Sequence, residues 1–249
     1  MNISGLLKLS LIDYPGKMAG VVFTKGCNFK CPSCHAKKLL DSNAPLIPEE
    51  EVFKLLEDNK NWTDGICICG GEPTIQKDLI DFISKIKKIN NGQFLVKLDT
   101  NGSNPGVLEE LLRRKIVDYV AMDIKGPEYL LPILIERYDN ESIFNIKKSM
   151  NLVQHFPDYE FRTTLVPFKR NNEFSFFNTQ EIKDIATFII NETHNNNHKY
   201  YIQKFIPRKE TDGGLLNKEW EDCRETPLEL LKKYYQILLP ILQKTEIRG

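Results

Sequence analysis

The chain has no run of about twenty apolar residues, so no stretch reads as a membrane-spanning helix. Its start, Met1 to Ser10, has no basic leader followed by a long apolar segment, and the expectation is a cytoplasmic protein with no membrane partner. An excess of either charge is also missing: 34 Lys and Arg balance 34 Asp and Glu. That balance removes the electrostatic case for nucleic acid as a partner. No internal repeat and no linker-like stretch interrupts the chain, so the expectation is one domain over residues 1–249. A disulfide framework is lacking too, because three of the six cysteines are bunched in one loop. What remains is a chain of 249 residues with 41% hydrophobic content, enough to bury a substantial core.

The bunched cysteines lie in Lys25-Gly-Cys-Asn-Phe-Lys-Cys-Pro-Ser-Cys-His35, with thiols at Cys27, Cys31 and Cys34. Three close thiols suggest iron and sulfur. A four-iron cluster closed by protein takes four thiolates, and this local run stops at three, which leaves one iron for a small-molecule ligand. A zinc site completed by His35 or a distant residue stays open at this point, since closed zinc sites want four nitrogen or sulfur donors.

The rest of the chain alternates. Gly20 to Thr24 reads as a buried strand that delivers the cysteine loop at its C-terminal end. Further strands are expected at Gly65 to Cys69, Gln93 to Asp99, Asp118 to Asp123, Glu160 to Val166 and Lys199 to Ile206. Helical patterns fall between them: after Pro48, at Gln76 to Ile89, Pro105 to Lys115, Ser142 to His155 and Thr179 to Asn191. Six such units imply parallel strands and a partial (β/α)6 TIM-like barrel over about 20–206. A loop is expected over 1–19, with turn chemistry at Pro15-Gly16, and a helical tail over 207–249 with Thr226 as N-cap. Asn191 to His198 reads as an exposed loop, where His194 and His198 carry no metal.

Polar motifs cluster at the strand ends. Cys69-Gly-Gly-Glu-Pro73 follows the second strand; paired glycines allow close backbone approach, and Glu72 offers a charge to an ammonium group. Lys97-Leu-Asp-Thr-Asn-Gly102 ends the third strand and Ala121-Met-Asp-Ile-Lys-Gly126 the fourth. Asp99, Thr100, Asp123 and Lys125 should therefore face one mouth. Lys125 suits a cofactor carboxylate, and two aspartates beside it suit a cation.

The cysteine spacing and Gly70-Gly71-Glu72-Pro73 together resemble the radical S-adenosylmethionine (SAM) enzymes. With Asp13-Tyr-Pro-Gly16 and Tyr159-Glu-Phe-Arg-Thr-Thr-Leu-Val-Pro167, the chain looks like the glycyl-radical-enzyme activases within that family. The resemblance implies a four-iron, four-sulfur (4Fe-4S) cluster on Cys27, Cys31 and Cys34, with S-adenosyl-L-methionine chelating the open iron. It implies cofactor contacts at Ser33, Cys34, His35, Gly70, Gly71, Glu72, Asp123, Ile124, Lys125 and Arg162. It further implies a monovalent cation at Asp99, Thr100, Met122 and Asp123, and places Asp13 near a partner's glycine loop. The implied partner is a glycyl-radical enzyme, anaerobic ribonucleotide reductase, with flavodoxin or ferredoxin as electron donor. Activation of pyruvate formate-lyase or another glycyl-radical enzyme, a small-molecule or RNA substrate, and a non-catalytic metal-binding protein are the alternatives. The chain departs from the family in three places: Ser33 stands where an aromatic is usual, Cys69 stands where a serine or other small residue usually precedes Gly-Gly, and Arg208 or Lys209 follows the sixth strand where the pyruvate formate-lyase activase has histidine. Cys67, Cys69 and Cys223 read as core or near-site thiols.

Overall fold

The structure, a computed structural model, describes residues 1–41, 43–136, 140–209 and 214–248. Its frame is one open eight-stranded sheet. In sheet order it runs β1 (Ile3–Ser10), β2 (Ala19–Thr24), β3 (Gly65–Gly70), β4 (Leu95–Thr100), β5 (Tyr119–Asp123), β6 (Asp158–Thr164), β9 (Lys199–Gln203) and β10 (Lys244–Arg248). Every neighbouring pair is parallel except β1 with β2. A small antiparallel hairpin, β7 (Phe168–Arg170) and β8 (Glu173–Ser175), stands apart. The helices are α1 (Lys37–Leu40), α2 (Glu49–Asp58), α3 (Leu79–Ile86), α4 (Pro105–Arg114), α5 (Leu131–Ile135), α6 (Asn140–Val153), α7 (Thr179–Thr193) and α8 (Leu228–Leu238).

The six parallel strands β2, β3, β4, β5, β6 and β9 with their intervening helices form the partial barrel expected from the alternation. Strand periodicity of two divides each strand between two environments. Ile66, Ile68, Val96, Leu98, Val120, Met122 and Phe161 pack outward into the main core, against α3 residues such as Leu79, Phe82 and Ile83. The alternate positions, including Cys67, Lys97, Asp99, Tyr119, Asp123, Glu160 and Arg162, turn inward. Helix ends follow local chemistry. Glu49, Glu50 and Glu51 stand in the first turn of α2, where the helix dipole favours anions. A reciprocal capping box closes α7: Asn178 accepts from the Glu181 amide at 2.9 Å, and Glu181 accepts from the Asn178 amide at 2.7 Å.

Several local expectations are corrected. Residues 3–10 form an edge strand within the segment expected to be a loop, and the 207–249 tail contributes β10 as well as α8. Thr226 does not cap α8, whose N-cap is Pro227. Its hydroxyl instead donates to the Leu165 carbonyl and accepts from the Phe205 amide, both at 2.9 Å. The 191–198 stretch is not an exposed loop throughout, because His198 is fully buried between Tyr159 Oη and Thr193 Oγ1, each 2.8 Å from a ring nitrogen. Among the described residues no helix is long and apolar enough to cross a membrane.

Burial holds the His198 imidazole below its ordinary pKa of 6.5. Below that pH the unfolded chain binds a proton that the folded chain resists, so stability falls as pH drops through this window. Chemical denaturation at about pH 7.5 and about pH 5.5 should therefore show a smaller acid loss for His198→Gln than for the wild-type chain.

Candidate active site

The cysteine loop leaves β2 and is tied down from several directions by backbone hydrogen bonds. The Gly26 amide donates to Leu39 O at 2.9 Å, Lys30 N to Ile135 O at 3.1 Å, and Cys34 N to Cys31 O at 3.0 Å. From the C-terminal tail, Leu216 N donates to Cys34 O at 3.1 Å and Asn217 N to Pro32 O at 3.0 Å. The Gly-Gly turn supplies the closest support. Gly71 N donates to Thr24 O and Glu72 N to Gly26 O, both at 2.9 Å. A Cβ at Gly71 would lie 1.8 Å from Gly26 O, and Gly70 holds a φ of +118° that side chains rarely adopt. The turn's close approach is thus to the cysteine loop itself, as well as to the cavity beside it.

That cavity, of about 570 Å³, opens at the C-terminal ends of the strands. Cys27, Cys31, Ser33, Cys34 and His35 line one side; Gly70, Gly71 and Glu72 adjoin them; Asp99, Thr100, Asp123, Lys125 and Arg162 come from β4 to β6. The three thiols are free. Burial pushes Cys27 up to about 11 and Cys31 up to about 12, while the nearby Lys125 ammonium acts in the opposite sense on both. Donors point at the sulfurs: Phe29 N lies 3.4 Å from Cys27 Sγ, Ala36 N 3.4 Å from Cys34 Sγ, and Asn101 Nδ2 3.7 Å from Cys27 Sγ. Donors to sulfur are among the means by which proteins tune thiolate-bound iron. His35 Nε2 is buried with no partner among the described residues, an orphaned nitrogen beside the same space. Among the described residues no group of three or more His, Cys, Asp or Glu is gathered closely enough for a single metal ion. Three thiols lining one cavity, with N–H donors aimed at their sulfurs, fit thiolate-bound iron.

Glu72 does not present a free charge. Its carboxylate is 1% exposed and accepts from Thr74 N at 3.0 Å, Thr74 Oγ1 at 2.6 Å, Thr100 Oγ1 at 2.8 Å and Asn101 N at 2.6 Å. Burial raises its pKa, and these donors oppose the rise. Glu72 lines the cavity, and its carboxylate also fastens the end of β4 to the Gly-Gly turn.

The inward faces of β4, β5 and β6 carry a chain of ion pairs. Lys97, 2% exposed, pairs with one oxygen of Asp99; Arg162 Nη2 meets the other at 3.0 Å. Arg162 Nε then pairs with Asp123, whose second oxygen lies 2.8 Å from Lys125 Nζ. Burial alone would lift the Asp123 carboxyl, but Arg162 and Lys125 hold it well below the usual carboxylate range. Deeper in the barrel Glu160, fully buried, accepts from Tyr119 Oη at 2.6 Å and from both terminal nitrogens of Arg248, at 2.6 and 2.9 Å.

Not every expected residue joins the site. The side chains of Met122 and Ile124 belong to the outer core, and the Ile124 backbone is already bonded to Arg162 O and Thr163 Oγ1. Asp13 lies on the connection between Ser10 and Ala19, at the opposite end of β2 from the cysteines, hydrogen-bonded to Ser10 at 2.5 Å. Cys69 lines the cavity, whereas Cys67 is buried with its sulfur 3.8 Å from Asp99. Cys223 sits in a small satellite core with Phe205, Leu215 and Trp220. Among the lining residues that were missed, Asn101 and Phe205 matter most to the site. Asn101, which donates 3.1 Å to Asn28 as well as to Cys27, was legible only as part of the strand-end motif. Phe205, stacked on His35 at 5.4 Å with planes 10° apart, gave no sequence signal beyond a strand-end aromatic. Arg208 lines the far wall, at the position noted as a departure.

A barrel with a three-thiol loop at its C-terminal mouth defines a class, and comparison agrees: the model of the Radical SAM superfamily matches residues 21–173. The chain belongs to the radical SAM superfamily, whose members use a 4Fe-4S cluster and S-adenosylmethionine, and these are its cofactors. It is 38% identical over 213 residues to a Methanocaldococcus jannaschii protein assigned by inference as a glycyl-radical enzyme activating enzyme, spanning 84% of this chain and 82% of that one. It is 30% identical over 129 residues to the pyruvate formate-lyase-activating enzyme of Clostridium pasteurianum, spanning 50% of this chain and 52% of that one. The fold is shared with a radical SAM methyltransferase from Sphaerobacter thermophilus, with a TM-score of 0.63 at 14% identity over 96% of this chain and 68% of that one.

The four donors on Glu72 set a prediction. Glu72→Gln turns an NH2 group toward donors, and should cost about 1–3 kcal/mol of stability in chemical denaturation. Faster hydrogen exchange at the Asn101 amide should accompany that loss.

Proposed function

We propose that this chain is a glycyl-radical-enzyme activase, acting as a single cytoplasmic domain with anaerobic ribonucleotide reductase as its partner. The observation that carries the reading is the three-thiol loop beside Lys125 at the cavity mouth, in a chain similar over most of its length to a protein assigned to that activity. In this reading Cys27, Cys31 and Cys34 would hold the cluster, and the cavity beside them would hold S-adenosylmethionine. When bound, the reduced cluster and its sulfonium ligand supply a 5′-deoxyadenosyl radical that takes hydrogen from a glycine Cα of the partner.

The chain's own residues hold and shield. Lys125 is the counter-ion for the cofactor carboxylate, and Asp123 keeps that ammonium aimed into the cavity. Burial disfavours the Lys125 charge, yet Asp123 raises its pKa overall, so it stays protonated at any working pH. Gly70 and Gly71 line the cavity with backbone and no side chain, and Asn101 donates to Cys27. The stacked pair of His35 and Phe205 gives the cofactor an aromatic wall that Ser33 does not. Asp13 meets a partner loop only if that loop approaches from the far end of the barrel. An electron enters from flavodoxin or ferredoxin. The likeness to a pyruvate formate-lyase-activating enzyme keeps activation of that enzyme as the second reading.

Anaerobically reconstituted protein with dithionite and S-adenosylmethionine should release 5′-deoxyadenosine, and co-incubated anaerobic ribonucleotide reductase should show a glycyl radical by electron paramagnetic resonance. Cys31→Ala should lose both the iron signal and the cleavage. Zinc in place of iron in the native protein, or cleavage retained in the variant, would sink the assignment; a radical on pyruvate formate-lyase alone would transfer the partner.

A further inference from the structure

The carboxylates of Asp99 and Asp123 are the pair that family resemblance gives to a monovalent cation, and the residues present do not fit one. Each of the four carboxylate oxygens already meets a protein cation: Lys97 and Arg162 on Asp99, Arg162 and Lys125 on Asp123. Three protein cations thus occupy these oxygens, and an added ion would have to displace one of them. The remaining expected ligands are spent as well. Thr100 donates its hydroxyl to Glu72 at 2.8 Å and accepts from Gly102 N at 3.1 Å. Met122 points to the outer core, on the face of β5 away from Asp123.

We propose that the Lys97 ammonium takes the place of a mobile cation, so that the cofactor docks here without any alkali-metal ion. Lys97 is two residues before Asp99 on β4, and strand alternation turns both side chains into the barrel. Its ammonium is out of solvent, with Cys67 Sγ at 3.6 Å and the Tyr119 ring centroid at 6.0 Å, so its charge falls on Asp99. Asp99 in turn fixes Arg162, and Arg162 fixes Asp123 beside Lys125. Lys97 is thus a positioning residue that acts on the cofactor through three others. A tethered ammonium cannot be diluted or exchanged, and the geometry of Asp123 becomes independent of the salt around the protein. The inference shares with the functional reading only the docking of S-adenosylmethionine beside Asp123.

Three measurements on the anaerobically reconstituted holoenzyme test it. Equilibrium dialysis with radioactive rubidium, which needs no S-adenosylmethionine, should show no saturable binding; one saturable ion per chain overturns the proposal. S-adenosylmethionine titrations in potassium chloride and in tetramethylammonium chloride, at equal ionic strength, should agree within about threefold, and a larger gain in potassium overturns it. Lys97→Met should bind S-adenosylmethionine at least about tenfold more weakly in tetramethylammonium and recover when potassium is added. Unchanged affinity, or a loss that potassium does not repair, overturns the role of Lys97. The first two measurements use the wild-type chain and stand even where the variant does not fold.

Discussion

The site rests on the contact between two backbones. Gly71 passes so close to Gly26 that a single Cβ would collide with a carbonyl oxygen, and the two amides of that turn bond to the last residue of β2 and to the residue before Cys27. Any side chain at position 71 must push the cysteine loop away from β3. The spacing of the three thiols is therefore a property of the β2 and β3 ends as much as of the loop. Glu72 extends the same stitching to β4 by accepting from Thr100 and Asn101. Three neighbouring strand ends and the metal loop thereby move as one body, which suits a site that must hold its reactants within a fraction of an ångström.

Beneath that body the barrel interior carries buried charge beside a small apolar cluster of Tyr14, Ala19, Tyr119 and Ala121. Lys97, Asp99, Arg162, Asp123 and Lys125 form a continuous alternation, with Glu160 and Arg248 as a second group lower down. Buried ions are costly unless each is met by an opposite charge and by hydrogen bonds, and here the carboxylate oxygens are all engaged. Such an interior is a poor source of stability, so the fold leans on the outer layer, where the apolar strand faces meet the helices. Division of labour between the two faces of one sheet explains how a reactive centre can be polar without unfolding the chain.

Much of this was legible beforehand. The apolar runs at Gly20 to Thr24 and Gly65 to Cys69, and the helical spacing of Leu79, Phe82, Ile83 and Ile86, announced the alternation because each carries its own period. The cysteine loop was legible because its ligands are adjacent in sequence. β1 was missed because it is a half-exposed edge with no clean alternation, and β10 because its partner strand lies far back in the chain. The burial of His198 depended on Tyr159, 39 residues away, and a polar-looking stretch gave no hint of it. Lys97 and Asp99 did show a period of two, but the sequence alone could not say that the lysine would turn inward and satisfy the aspartate. Asp13 was found by its motif, and only the topology revealed that it stands at the other end of β2.

Arg248 has a consequence for how the polypeptide is made. It reaches Glu160, 88 positions earlier in the chain, and lies over the Tyr201 ring at 3.7 Å. A ribosome therefore produces the carboxylate long before the guanidinium, and throughout that interval the nascent barrel holds an acid whose counter-charge has not yet been synthesised. Closing so long a loop is slow compared with pairing adjacent strands. The order of translation thus leaves the floor of the barrel as the last part to settle, after the thiol loop already has the strand ends that shape it.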